Sequence, residues 1–400
     1  MVLLCALAWS QVVDVDVVEP LYVGDVRVSP SLTALLMADS NPGWQPEAAQ
    51  AAAVRGLHPE LGVFLDVPDT AVTAMLSGIF LDVIGDRAWP LEPWVFADAF
   101  AQVDLFRRSP VGVRAVYIGR VRSGGGARDV LTDAPSGVNG IEVAVPVRTS
   151  DKVELVVGGQ LRSSSYQFWG SDGRVQPYNY SDMVGATAEA VVSVSDSIQL
   201  GAGLTVQHHG WGASSLGLSG FDASDPAAVL LFDALRPVGQ VTADMSCGSW
   251  TLNTGLGWDG TQISAVQGQA PRLATEDRLI GEVVLTGESA ASSVSLSFER
   301  FNDRPFVAHL SVVFAGEVAV ETEVASFVRL GTVSGVRTDE MVADDPWRTT
   351  RLHGSVYGAV DLSPNLVSTV RFDGSWRDLD PFDRLPVSRV AATVGLTGKI

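Results

Sequence analysis

Apolar and polar residues alternate along most of this chain. In the stretch IQLGAGLTVQ, Ile198, Leu200 and Leu204 share one face of an extended strand, and Gln199 and Thr205 lie on the other. Alternation with a period of two over about ten residues is typical of a β-strand that is apolar on one face and wet on the other. The dominant pattern therefore predicts an all-β protein.

The same period recurs along the chain. The predicted strands are 111–122, 138–148, 153–163, 182–194, 198–209, 235–247, 250–260, 277–286, 293–301, 306–315, 318–329, 349–361, 366–377 and 387–399. Two further segments, 61–83 and 94–116, fit hairpins around residues 67–70 and 107–110, although helical spacing also fits them.

The links between these strands mostly alternate in length, with the short link at 302–305 as an exception. The short links are 149–152, 195–197, 248–249, 287–292, 316–317 and 362–365, and the long ones are 123–137, 164–181, 210–234, 261–276, 330–348 and 378–386. A polar turn between alternating runs recurs in 145–161, 191–206 and 359–372, and once near the start in 25–37. Short turns at one end of long strands and loops at the other are typical of a transmembrane β-barrel.

We therefore predict an antiparallel up-and-down transmembrane β-barrel of about 16 strands, within a range of 14 to 18, with short periplasmic turns and longer extracellular loops. The lower count applies if the segments 61–83 and 94–116 form a plug instead of hairpins in the wall. The predicted location is the bacterial outer membrane.

Composition agrees with this interpretation. The hydrophobic fraction is 46%, charged residues make up 18%, and the formal net charge is −19. The charged share is below the roughly 25% of ordinary soluble proteins, yet no stretch approaches the roughly 20 apolar residues of a membrane-spanning helix. The acidic balance argues against a nucleic-acid partner, since such proteins are normally basic.

The chain divides into three predicted regions. Residues 1–10 resemble the remnant of a truncated signal peptide, in which Ala6-Leu7-Ala8 has the small-x-small pattern of a cleavage site. Residues 11–60 supply either the first strands or a periplasmic plug, with a short helix near 46–55. Residues 61–400 form the barrel.

The strand period assigns many charged side chains to the inner face. The predicted lumen-lining residues are Arg114, Arg120, Glu142, Arg148, Glu154, Arg162, Glu189, Asp244, Glu282, Glu299, Glu321, Glu323, Arg351, Arg371 and Asp373. Charges of both signs inside a barrel require water or pairing, because an unpaired buried charge is very costly. A water-filled lumen indicates a channel for passive transport of small polar solutes or ions. The alternative is a closed barrel held by salt bridges, with a structural or adhesive role.

Aromatic residues mark the expected membrane interfaces. Trp250 and Trp258 share the apolar face of one strand, about the height of the membrane apart, and Trp376 is assigned to the same kind of position. The segment 387–400 resembles the terminal signal of outer-membrane proteins, although it ends in Ile400 instead of an aromatic residue. That resemblance implies recognition by the barrel-assembly machinery. Outer-membrane lipid and lipopolysaccharide are the other expected partners.

Two segments carry a resemblance to a known family. GIEVAVPVRTSDKVELVVGGQL (140–161) and VVSVSDSIQLGAGLTV (191–206) are similar to strand pairs of the FadL-type transporters of hydrophobic compounds, in which a polar turn leads into a glycine-rich strand. The resemblance implies a 14-stranded barrel, an N-terminal hatch and apolar substrate pockets. The family's N-terminal Asn-Pro-Ala-Gly segment has only a partial counterpart in residues 40–48.

Catalytic and cofactor signals are weak. There is no Gly-x-Ser-x-Gly motif, and the adjacent His208 and His209 have no third ligand at metal-binding spacing. We predict no enzyme activity, no metal and no cofactor. Passive transport through a charged lumen is the predicted function, with a FadL-like transporter of hydrophobic compounds and a non-conducting barrel as alternatives.

Overall fold

The chain folds into one continuous antiparallel sheet. A computed structural model describes residues 21–40, 51–84, 94–123, 137–169, 175–213, 232–265, 275–303, 310–342, 348–379 and 384–399. The strands are β1 (Leu21–Val23), β2 (Val26–Asp39), β3 (Ala52–Val67), β4 (Thr70–Ile84), β5 (Trp94–Leu105), β6 (Val113–Ser123), β7 (Gly137–Ser150), β8 (Val153–Trp169), β9 (Val175–Ser195), β10 (Ile198–Ala213), β11 (Phe232–Cys247), β12 (Trp250–Ala265), β13 (Thr275–Glu288), β14 (Ser292–Asp303), β15 (Leu310–Ala325), β16 (Val328–Val342), β17 (Arg348–Ser363), β18 (Leu366–Leu379) and β19 (Arg384–Lys399). Among the described residues, no helix is long and apolar enough to cross a membrane.

Strands β2 to β19 close into a barrel of 18 strands. Each pairs with the next in sequence, and β19 returns to pair with β2, where Lys399 lies opposite Ser31 and Ala391 opposite Asp39. The short strand β1 is the nineteenth. The sheet therefore has no free side edge along the β2–β19 seam, which is the condition for a β-structure to span a bilayer.

The pairing register fixes the width of this barrel. Following paired residues once around the wall returns to β2 displaced by about 22 residues, which for 18 strands corresponds to a tilt of about 40° and a backbone diameter of about 35 Å. Side chains fill the interior only in barrels of about 8 strands. The wall therefore encloses a wide lumen.

The outer face of the wall is apolar. On β10, Leu200 is 46% exposed and Leu204 53%, whereas Gln199 and Thr205 point to the opposite face. The same parity holds from strand to strand, and exposed Leu, Val, Phe and Trp side chains occupy the outer positions of nearly every strand. An apolar outer band around a polar interior is the arrangement of an outer-membrane barrel.

The two ends of the barrel differ in their connections. At one end the strands are joined by short turns, which span residues 68–69, 106–112, 151–152, 196–197, 248–249, 289–291, 326–327 and 364–365. At the other end every connection is outside the described residues. Strand β2 begins and β19 ends at the short-turn end, which corresponds to the periplasmic side in outer-membrane barrels.

Strand β1 extends the wall beyond the end of β19. It pairs with β2 from Leu21 opposite Val28, on the same edge that β19 occupies above Ser31, because β3 occupies the other edge. The turn between β1 and β2 contains Gly24 with a φ of 64°, a left-handed conformation that glycine adopts without strain. β1 therefore pairs with the part of the β2 edge that lies below the β19 ladder.

The seam between the first and last barrel strands is also joined by side chains. Arg389 on β19 donates from Nε to the Asp39 carboxylate at 2.7 Å, and the Asp39 side chain is fully buried. The hydroxyls of Thr33 and Thr397 are hydrogen-bonded at 2.7 Å and are also buried. The bond between Arg389 and Asp39 is charge-assisted, which is the stronger class of hydrogen bond.

The barrel has more strands than the expected 16, although 18 is the top of the predicted range. The hairpins predicted in 61–83 and 94–116 lie in the wall as β3–β4 and β5–β6, so the plug alternative for them is wrong. The 18-strand wall also differs from the 14-stranded barrel that the FadL resemblance implies, and the described N-terminal strands β2 and β3 belong to the wall and not to a hatch.

The predicted N-terminal regions also change. β3 begins at Ala52, so residues 52–55 are not helical, and the rest of the predicted helix near 46–55 is outside the described residues, as are residues 1–10. The predicted boundary at residue 61 falls inside β3, so it does not separate an N-terminal region from the barrel. The turn predicted in 25–37 is wrong because β2 runs through it. Pro30 fits there because it lies between two ladders on the same edge of β2: the described pairing with β19 ends at Ser31, and the pairing with β1 begins at Val28.

The predicted strands 306–315 and 318–329 are displaced. The turn predicted at 316–317 lies inside β15, and the real turn is at 326–327, so the predicted loop 330–348 contains β16. Gly316 attracted the turn prediction, but in the structure it faces outward beside the Phe298 ring. The real turn, Ser326-Phe327, carries no glycine, proline, asparagine or aspartate as a signal.

We expect Leu204→Arg to destabilise the folded barrel by about 2–4 kcal/mol, because it places a cation on the lipid face near mid-membrane. The neighbouring Thr205→Arg places the same cation in the lumen and is expected to cost under about 1 kcal/mol. Urea titration of both variants in lipid vesicles measures the difference. Equal destabilisation would contradict the assigned faces.

We expect Asp39→Ala to destabilise the barrel by about 3 kcal/mol, because it leaves Arg389 without its buried partner at the seam. Asp82→Ala removes a carboxylate from the exposed Arg55–Asp82 pair and is expected to cost at most about 1 kcal/mol. The same urea titrations compare the two. A smaller loss for Asp39→Ala than for Asp82→Ala would show that the seam pair does not stabilise closure.

Candidate functional site

The inner face of the wall carries the charged side chains of the barrel. The register places all fifteen residues predicted to line the lumen on this face, opposite the exposed apolar side chains. Each of the fifteen is exposed or half-buried. These side chains therefore lie on the face of the wall that points away from lipid, and part of the surface of each is exposed.

Neighbouring inner charges of opposite sign pair across the strands. Arg114 on β6 contacts Asp104 on β5 with 2.6 Å between Nε and a carboxylate oxygen. Arg148 and Glu154, directly opposite each other on β7 and β8, are 3.3 Å apart. On β2 to β8, charges of both signs are interspersed in this way, so this part of the wall is close to neutral.

Carboxylates predominate on the inner face of β9 to β15. This acidic arc consists of Glu189, Asp244, Glu282, Glu299, Glu317, Glu321 and Glu323. Arg236 is the one arginine whose side chain the structure describes on this part of the inner face, and it is bound to the buried Asp259. The acidic arc therefore has a net negative charge.

Two members of the acidic arc lie directly side by side. Glu282 on β13 is paired with Glu299 on β14, and both point into the lumen. Like charges directly opposite each other destabilise a sheet. Such a pair is tolerable where water or mobile cations reach both carboxylates, as they do on the wall of an aqueous lumen.

Glycines shape the border of the acidic arc. The Tyr357 hydroxyl on β17 reaches across Gly331 of β16 and donates to Glu321 on β15 at 2.7 Å. His353 reaches across Gly335 in the same way, with 3.3 Å between its Nε2 and Glu317. A Cβ at position 331 would lie 2.1 Å from the Tyr357 ring, so only glycine leaves room for this contact.

Arginines predominate on the inner face of the next four strands. This arginine arc consists of Arg329, Arg337, Arg351, Arg371, Arg377 and Arg389 on β16 to β19. Four of these arginines are paired with aspartates within the wall, for example Arg337 with Asp339 at 2.7 Å and Arg371 with Asp373 at 2.6 Å. The positive charge of this arc is therefore partly neutralised by its own aspartates.

The sequence analysis did not identify several charged residues of the inner face. Glu317 and Arg337 were missed because the predicted turn at 316–317 displaced β15 and β16. The available signal was the period itself, since Glu317 precedes Glu321 by four residues and therefore shares its face. Asp39 and Arg389 meet only because β19 closes onto β2, and nothing local indicates that contact.

An apolar patch lies on the inner face of β4 to β6. Met75, Ile79, Phe100 and Ile118 face the lumen there, and Met75 is 51% exposed. Apolar side chains exposed to an aqueous lumen are unfavourable unless a ligand or another part of the protein covers them at times. In an 18-strand ring, β5 lies nine strands from β14, so the apolar patch faces the acidic arc across the lumen.

The three tryptophans predicted at the interfaces all lie on the outer face. Trp250 begins β12 at the short-turn end and is 47% exposed, and Trp376 lies towards the other end of β18 and is 36% exposed. Trp258 lies between those levels and is 44% exposed. Contact of these rings with lipid headgroups stays a prediction.

The described part of the chain offers no metal centre. Within it, no group of three or more His, Cys, Asp or Glu side chains is arranged to hold a metal ion. Cys247 is exposed on the outer face near a turn and forms no disulfide.

Comparison with known proteins shows which solved structures have a similar fold. No protein-family model matches the chain, and no curated protein matches its sequence. Solved structures do match: the FrpB iron transporter from Neisseria meningitidis, in the apoprotein form of its F5-1 variant, has a TM-score of 0.52 and 8% identity over 96% of this chain and 82% of that one.

Two other solved structures are similar. The copper transporter OprC has a TM-score of 0.50 and 12% identity over 96% of this chain and 82% of that one. OccK9 (OpdG) from Pseudomonas aeruginosa has a TM-score of 0.46 and 10% identity, over 94% of this chain and 99% of that one. At these identities the similarity concerns the fold. The FrpB and OprC structures share the fold of a large outer-membrane β-barrel with this chain. The closed 18-strand wall and its apolar outer face agree with that fold and show that the chain is a β-barrel protein of the bacterial outer-membrane type.

Proposed function

We propose that this barrel is a passive outer-membrane channel for small polar solutes and ions, and that it prefers cations. The observation that supports this most is the acidic arc, in which seven lumen-facing carboxylates accompany one described arginine that is already bound to Asp259. Acidic side chains lining a pore favour cations by raising their local concentration.

The arginine arc does not cancel this preference. Four of its six members, Arg329, Arg337, Arg371 and Arg389, are paired with aspartates of the same or a neighbouring strand. A cation in the lumen therefore passes beside the net negative charge of the acidic arc on one side and beside a mostly ion-paired arginine arc on the other. A transport role of this kind requires no catalysis, and we propose none.

A second candidate function rests on the apolar patch of β4 to β6. Met75, Ile79, Phe100 and Ile118 give solutes with an apolar part a surface to contact inside the lumen. This patch favours transport of compounds that are partly hydrophobic, which is the alternative closest to the FadL-like hypothesis. Competition by such compounds against ion current would distinguish it, because a purely polar solute has no affinity for the patch.

We expect purified protein in a planar bilayer to give discrete current steps and a reversal potential that shows preference for K⁺ over Cl⁻ in a KCl gradient. Glu282→Gln together with Glu299→Gln is expected to reduce the permeability ratio by about twofold or more, because it removes two adjacent lumen charges. The reversal potential of the double variant measures the change.

Glu340→Gln is the matched control. Glu340 lies on β16 with its side chain on the outer face, so its loss changes the net charge without changing the lumen. The same shift in both variants would mean that the surface charge sets the preference. Folded protein that carries no current would exclude the open channel and favour the structural or adhesive alternative.

A further inference from the structure

The wall splits between β13 and β14 towards the end of the barrel opposite the short turns, which we call the loop end and treat as the upper end. The ladder that joins these strands stops at Gly281 opposite Arg300, although β13 extends back to Thr275 and β14 continues to Asp303. Above this point β13 stays paired with β12, and β14 stays paired with β15. Two strands that are neighbours below are therefore not hydrogen-bonded to each other above.

Arginine side chains bind the backbone carbonyls at the split. Arg300 donates from its guanidinium to the Leu279 carbonyl of β13, across the point where the ladder ends. Arg236 on β11 donates to the Asn302 carbonyl of β14 at 3.2 Å. A backbone carbonyl without a ladder partner is costly at this depth, and these two contacts supply the missing donors.

The Arg236 contact crosses two intervening strands. A flat sheet would place β11 and β14 about 14 Å apart, since neighbouring strands are about 4.8 Å apart. An arginine side chain on the inner face of β11 reaches Asn302 only where the end of β14 leans into the lumen. Arg337 on the other side contacts the Phe301 ring, with its guanidinium carbon 5.8 Å from the ring centre.

If the end of β14 leans over the inner face of the neighbouring strands, the side chains between the two layers should be buried, and they are. Asp259 and Thr261 on the inner face of β12 are fully buried, and Thr261 donates to Asp259 at 2.6 Å. Asn302 and Val312, on the outer face of β14 and β15, are also buried. In a single-layer wall one face meets the lumen and the other meets lipid, so burial on both faces marks a local overlap.

We propose that the upper end of β14 is a strap that narrows the lumen, and that Arg236 determines how far it leans inward. Asp259 fixes the guanidinium by a bond of 2.6 Å to its Nη2, and the same nitrogen donates to the Asn302 carbonyl. Arg236 is thus a size-determining residue for solutes that pass the acidic arc. The proposal rests on the proposed channel function.

The test uses Arg236→Lys, which keeps the charge but removes the planar fork that bridges Asp259 and Asn302. Single-channel conductance in KCl is expected to rise about 1.2-fold or more as the strap moves back to the wall, and larger neutral polymers should enter the lumen. Arg55→Lys, on the outer face of β3 and away from the split, is the control and should change neither property.

A labelling experiment gives a readout that does not depend on current. Thr261→Cys is placed in a background without Cys5 and Cys247, with Thr251→Cys as an exposed lumen position for comparison. Adding Arg236→Lys should raise the maleimide labelling rate at position 261 about tenfold while leaving position 251 unchanged, because the strap no longer covers it.

The outcomes separate the two proposals. Faster labelling at position 261 in a protein that carries no current would support the strap and remove the channel function. Normal current with unchanged conductance and unchanged labelling in Arg236→Lys would overturn the strap. Heat-modifiable migration on gels confirms for each variant that the barrel is folded, so that a change in either readout reports the strap.

Discussion

The structure depends on closure of the backbone hydrogen-bond ladder. In a bilayer each unpaired N–H or C=O costs several kcal/mol, so a sheet spans the membrane only when its first and last strands meet. Here β19 pairs with β2 from Ser31 to Asp39, β1 covers β2 below that point, and the Asp39–Arg389 pair joins the two strands near the loop end. Both ends of the 18-strand sheet are thus secured by contacts between residues far apart in sequence.

Closure also divides the side chains between two solvents. Because successive residues point to opposite faces, a continuous register around the ring places Leu204 and its counterparts in lipid and the charged residues in the lumen. The ring is too wide for the side chains of the wall to fill it. Glu282 and Glu299 lie as direct neighbours on its inner face, and like charges in this position need water or mobile cations nearby.

The hydrogen-bond ladder is interrupted in the part of the wall where carboxylates predominate. The split between β13 and β14 occurs within the acidic arc, and the two arginines that supply donors there, Arg236 and Arg300, come from opposite faces of the wall. A single-layer wall has few ways to narrow its own lumen. Bending one strand end inward, at the cost of a few ladder bonds, is one that uses only wall residues.

The period of two in the sequence determined the class of structure, the faces of most strands and the fifteen lumen positions, because alternation is a local property that survives any arrangement of the strands. It failed at the turn predicted near Gly316, because that glycine packs beside Phe298 within a strand and the real turn, Ser326-Phe327, contains no glycine, proline, asparagine or aspartate. Only the tertiary structure decided the strand number, the closing contact of Asp39 with Arg389, and the split at β14. Each of these depends on which strands become neighbours around the ring, and pairing between distant segments leaves no periodic trace in either one.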